Sequence, residues 1–171
     1  MGLFDRLLGR KATETDTAPL WHRVVEIARE PQWYAKGGVA DTIPGRFDCI
    51  SMVLALVLVR MERDEGLRPL TGRLTEHFVD DMDGQLRQNG IGDLVVGKHV
   101  GKLVSALGGR IDAYRAALTD PDDAALIEAV SRNMTLNEGA DSAAIAAEIR
   151  VIARSLDQTS AADLIAGRFV R

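Results

Sequence analysis

The sequence predicts an all-α fold, a compact single-domain bundle of about seven helices, and three observations carry that prediction. Apolar residues recur at three- and four-residue spacing along most of the chain, the interval that places side chains on one face of a helix. No segment alternates apolar and polar residues with period two, as a half-buried strand would. Aromatics make up only 5% of the 171 residues while alanine and glycine are plentiful. Sheets favour β-branched and aromatic side chains, so this mix suits close-packed helices instead.

The elements follow in chain order. Residues 1–10 (MGLFDRLLGR) put Leu3, Phe4, Leu7 and Leu8 on one face of a short helix, with Asp5, Arg6 and Arg10 opposite. A polar stretch, 11–17, separates this amphipathic tail from a helical domain spanning 18–171. The tail is read as a frayed end or as a foot that touches a membrane surface or a partner. A first helix begins at Pro19, carries Trp21, Val24, Val25 and Ile27 inward, and stops before Pro31, because the residue before proline leaves the α region. Residues 31–48 hold a glycine pair, two prolines and adjacent Trp33 and Tyr34, which predicts an irregular connection. Asp41 or Thr42 caps the next helix, with Pro44 in its first turn.

That helix contains the most apolar run, CISMVLALVLV at 49–59, bracketed by charges on both sides. A membrane span needs about 20 such residues, so the run reads as a helix buried on most sides at the domain centre. After a break at Gly66 and Pro69, a helix over about 70–88 carries Leu74, Phe78, Met82 and Leu86 as its apolar stripe. Arg73, Glu76, Asp80, Asp83 and Arg87 fill the other face. A long helix follows from its cap Asp93 to Leu118, with Gly97, Gly101, Ser105 and Gly108 beside its apolar stripe. Each interior glycine costs roughly 1 kcal/mol relative to alanine, so this edge predicts close approach by another helix. Gly108-Gly109 leaves open a break of the helix in two. Asp120-Pro121 starts the next helix, Asp141 another, and Ser160 with Asp163 opens a last short one by a capping box.

Composition and motifs exclude much chemistry. Net charge is -4 with both signs interleaved, and no basic tract marks a nucleic-acid surface. One cysteine forms no internal disulfide, which together with the lack of a secretory signal points to a reducing, cytoplasm-like compartment. Three scattered histidines and one cysteine do not make a zinc site, and paired Glu-x-x-His motifs for a bundle di-metal site are absent. Phosphate-loop and nucleophile-elbow motifs are missing too, and Cys49 lies in an apolar run where a thiol is inert. No cofactor, metal or catalytic residue is expected. Asp83 and Arg87 form an i,i+4 pair, while Asp81 lies nearer the apolar stripe and needs a partner. If the helices carrying them pack antiparallel, Lys98 and Lys102 face these acids across the seam.

Several unusual words, in order, resemble the ubiquinol-cytochrome c chaperone family, assembly factors for respiratory complex III. They are PQWYAKGGVADTIPGRFD at 31–48, FVDDMDGQLR at 78–87, GDLVVGKHVGK at 92–102, GR at 109–110 and AYR at 113–115. The likeness runs roughly from Leu20 to Leu118 and leaves out the N-terminal tail and the residues after Asp120. It implies a non-enzymatic helical chaperone that binds cytochrome b, or its nascent form, and supports assembly of the ubiquinol-cytochrome c reductase complex. Mitochondrial relatives act near the ribosome exit with a small partner protein. Without a targeting presequence this chain looks like a bacterial relative, cytoplasmic and at most peripheral at the inner face of the membrane. By family match the client-binding candidates are Trp33, Tyr34, Arg46, Asp48, Asp81, Asp83, Arg87, Asp93, Lys98 and Lys102. Bland roles stand beside these: loop packing for Trp33 and Tyr34, helix entry for Arg46 and Asp48, capping for Asp93. Two other readings remain, a generic all-α protein-interaction module with another client, and a haem binder using His77 or His99 as axial ligand.

Overall fold

The computed structural model describes residues 15–88 and 93–170, which form eight α-helices, two of them five residues long. α1 (Ala18–Ala28) leads into the short α2 (Pro31–Ala35). The central α3 (Ile43–Glu62) is followed by a 3-10 turn (Arg68–Leu70) and α4 (Thr71–Gln88). Then come α5 (Asp93–Thr119), α6 (Ala124–Asn133), α7 (Ser142–Gln158) and α8 (Ala161–Ile165). No helix among the described residues is long and apolar enough to cross a membrane.

α3 is the axis of the core because its sequence offers no polar face. Every residue from Asp48 to Val59 is buried, and α1, α5 and α7 pack around it. α4 closes the bundle against α1 and α5, and α6 bridges α5 and α7. Phe78 of α4 holds the corner, with Trp21 edge-on at 6.3 Å and Phe47 at 6.0 Å between ring centroids. Such pairs contribute about 0.5–1.5 kcal/mol beyond their buried area. Phe169 and Leu164 extend the same core to the C-terminus.

The caps fall largely where the side chains permit them. Thr42 accepts from the Gly45 amide, Asp141 from Ala143 and Ala144, and Ser160 from Asp163. Three expectations need correction. Residues 31–42 are less irregular than predicted, since 31–35 close one helical turn, while α3 begins at Ile43 behind the expected Thr42 cap. The Asp120 start is displaced to Ala124, because residues 120–123 form a bend held by their own acids. Asp120 accepts from the Asp122 amide and Asp122 from Ala124, while Asp123 Oδ1 is taken by Arg150 Nε at 2.6 Å.

The third correction concerns α5. It continues unbroken through Gly108-Gly109, but among the described residues no helix packs against its glycine edge. A Cβ built at Gly97, Gly101, Gly108 or Gly109 meets nothing within 4 Å. By contrast Gly45 is required: a Cβ there would lie 2.0 Å from the Ala40 carbonyl oxygen. Gly38, at φ 77°, lets the segment after α2 pair with the loop before α7. There Ala40 donates to Thr135 O at 2.9 Å and Asn137 to Gly38 O at 2.8 Å.

Candidate functional site

The last carbonyls of a helix lack intrahelical partners, and at α1 this need fixes the two aromatics of α2. Trp33 Nε1 donates to Ile27 O at 2.8 Å and Tyr34 Oη to Ala28 O at 2.9 Å. Trp33 is fully buried by this contact, whereas Tyr34 keeps one side open. Burial pushes the Tyr34 hydroxyl well above its ordinary range and the neighbouring Cys49 thiol up to about 12, a rise eased for the thiol by its hydrogen bond with Tyr34. Both groups stay neutral, and Cys49 is buried.

Tyr34 opens onto a cavity of about 540 Å³ shared with Arg29, Pro31, Ala35, Asp41 and Arg46. Arg46 Nε donates to Asp41 Oδ1 at 2.7 Å with both side chains more than half exposed. Its guanidinium holds the Asp41 carboxyl below the usual carboxylate range. An exposed pair of this kind contributes little to stability. A second groove of about 610 Å³ lies between α1 and α4, lined among others by His22, Glu26, Arg29, His77 and Asp81. Arg29 lines both and makes no side-chain hydrogen bond or ion pair among the described residues. The sequence marks Arg29 only as a cation at the end of α1 shortly before Pro31.

The remaining predicted residues separate into three groups. Asp48 lies inside, its carboxylate ion-paired with Arg110 of α5 and accepting from Thr135 N at 2.8 Å and Thr135 Oγ1 at 2.7 Å. Arg110, also over the Phe47 ring, donates to Asn133 O. This arrangement ties the start of α3 to α5 and to the end of α6. Asp83 and Arg87 form the expected pair on α4 at 2.7 Å. Lys98 and Lys102 are exposed on α5 and, contrary to the antiparallel-seam expectation, neither forms an ion pair with Asp81 or Asp83 among the described residues. The helices do pack together, but the lysines lie on the solvent side with the glycines. The first residue of α5 is Asp93; its side chain, like the N-terminal tail, lies outside the described residues.

Among the described residues no group of three or more His, Cys, Asp or Glu is placed to hold a metal ion. What the described surface offers is shallow grooves, fixed charges and an open small-residue helix edge. The comparisons with known proteins give the family. A family model described as ubiquinol-cytochrome C chaperone matches residues 35–171, and the chain belongs to that family. The crystal structure of the Cbp3 homolog from Brucella abortus superposes with a TM-score of 0.80 at 31% identity, covering 96% of this chain and 94% of that one. A search of curated proteins found no match. The family match takes in the residues after Asp120, which the sequence words left aside.

Proposed function

We propose that this chain is a non-enzymatic assembly factor that binds cytochrome b, in mature or nascent form, and supports formation of the ubiquinol-cytochrome c reductase complex. The observation that carries the reading is the unpartnered edge of α5. Gly97, Gly101, Ser105 and Gly108 fall on one side of the helix, and the glycines face open space. Val104 on the same edge is 37% exposed, with Lys98 and Lys102 further round the exposed side. Glycines inside a helix cost roughly 1 kcal/mol each, and nothing among the described residues packs against them to recover that cost.

An apolar client helix recovers it. Small residues let helix backbones approach closely, which is how membrane-spanning helices associate when the hydrophobic effect gives them little. Lysines flanking the edge orient such a client and hold the complex at an anionic membrane face. Tyr34, Arg29, Arg46 and Asp81 provide a second contact area on the other side of α1, while Asp48 and Trp33 act from within by fixing α3 and α2. The working location is the cytoplasmic face of the membrane, with at most peripheral contact.

The test is recovery of cytochrome b by tagged full-length chain from native membranes. Gly97→Leu with Gly101→Leu fills the open edge with good helix formers, so the chain keeps its fold and its recovery of cytochrome b falls at least tenfold. Undiminished recovery by that folded variant, or recovery of an unrelated protein by the parent chain, overturns the reading.

A further inference from the structure

On the side of the bundle away from Tyr34 and Arg46, a cavity of about 290 Å³ opens between α3, α5 and α7. Four arginines line it, Arg63, Arg115, Arg150 and Arg154, against one carboxylate, Asp157. Carboxylates neutralise three of them, Asp157 on Arg63, Glu62 and Asp112 on Arg115, and Asp123 on Arg150, so the fourth, Arg154, is the cation without a partner among the described residues. Three of the four are held from behind. Arg63 donates to Val59 O and Asp157, and Arg115 to Asp112 and Glu62. Arg150 donates to Asp123 and to the carbonyls of Asp120 and Asp122. These bonds occupy Nε and Nη2 of Arg63 and Arg150 and leave Nη1 of each uncommitted; on Arg115 they leave Nε. Arg154 is exposed and has no side-chain partner among the described residues.

From this geometry we infer a binding site for a phosphate-bearing ligand, with Arg154 as the mobile arm and Arg63, Arg115 and Arg150 as the fixed ones. A guanidinium presents five donors in a planar fork that matches a phosphate oxygen pair. The unpaired Arg154 supplies the charge, the uncommitted N–H groups of Arg63, Arg115 and Arg150 supply further donors around the same cavity, and a tetrahedral phosphate accepts from several directions at once. Glu62, Asp112 and Asp123 hold Arg115 and Arg150 in position without lining the cavity, while Asp157, the partner of Arg63, lines it. Two sources share this chemistry, a free phosphate ester and the headgroup of a phospholipid. The site is independent of the α5 edge and of the cytochrome b reading.

The test is titration of the full chain with inorganic phosphate at constant ionic strength, read on the arginine Nε–Hε NMR signals, with chloride as control. The expected result is a saturable shift at Arg154 and Arg115 that chloride does not produce. Arg154→Gln weakens the apparent affinity roughly tenfold, the loss of one charge-assisted contact. Asp157→Asn strengthens it, a gain that a network serving only to staple α3 to α7 would not show. Competition by sn-glycerol 3-phosphate but not by phosphatidic-acid vesicles assigns the free ester; displacement by vesicles assigns the lipid headgroup. A shift linear in phosphate, one that chloride reproduces, or affinities unchanged in both variants overturns the inference.

Discussion

Replacing Asp48 with alanine removes the acceptor on which α3, α5 and the end of α6 converge, and the size of the loss follows from the contacts. The Asp48 side chain is 7% exposed and that of Arg110 13%. Truncation deletes the ion pair and both bonds from Thr135, and strands a guanidinium whose Nε already has no partner. Breaking a buried pair from one side costs about 3–5 kcal/mol. Arg110 also lines an open cavity between α5 and α6, where water can reach it, so the lower end applies, about 3 kcal/mol. For a domain of this size that lowers Tm by roughly 6–12 °C. Equilibrium urea denaturation of Asp48→Ala, Arg110→Met and the double variant measures it. The double variant should be less destabilised than the sum of the singles by at least about 1 kcal/mol. A loss below about 1 kcal/mol for Asp48→Ala, or simple additivity, refutes the reasoning.

Three further outcomes follow from the same geometry. Gly97→Ala and Gly101→Ala each raise stability by up to about 1 kcal/mol in thermal or chemical denaturation, since an added methyl meets nothing; destabilisation would mean the edge is packed. Gly45→Ala lowers stability by about 3 kcal/mol in the same assay, because its Cβ would collide with the Ala40 carbonyl; a neutral result would contradict that contact. The Cys49 thiol, ordinarily near 9.0, is pushed up to about 12 by burial, so the folded chain keeps it neutral where the unfolded chain ionises it. The stability it supports is complete below pH 9 and drains as pH rises toward 12, at roughly 1.4 kcal/mol per unit. Between pH 8 and pH 10.5 the parent should lose about 2 kcal/mol more unfolding free energy than Cys49→Ala; parallel profiles would remove the thiol as the cause.

The fold was legible wherever one face of a helix is apolar and the other is not. The stripes of α4 and α7 and the uninterrupted apolar run of α3 state their own burial, and Thr42, Asp141 and Ser160 mark their helix starts by capping chemistry. Reading failed where long-range partners override local rules. Asp120-Pro121 has the form of a helix start, but Arg150, distant in sequence, takes Asp123 and leaves the acids to cap one another. The glycines of α5 were read as a packing edge because their spacing is the same whether the neighbour belongs to the chain or to another molecule. At the site, Tyr34 and Arg46 share one cavity as their proximity in sequence suggests. Asp48 reads as a client-binding candidate or as an acid at the entry to the central helix; its partners Arg110 and Thr135 lie far along the chain, and no local pattern announces them. Arg29 was missed because a lone cation before proline carries no motif.

Deleting the gene and measuring assembled complex III against total cytochrome b tests the account most directly. The account predicts that assembled complex falls well below cytochrome b synthesis, that the parent chain restores it, and that Gly97→Leu with Gly101→Leu, folded and expressed, does not. Unchanged complex III in the deletion, or full restoration by the filled-edge variant, would contradict it.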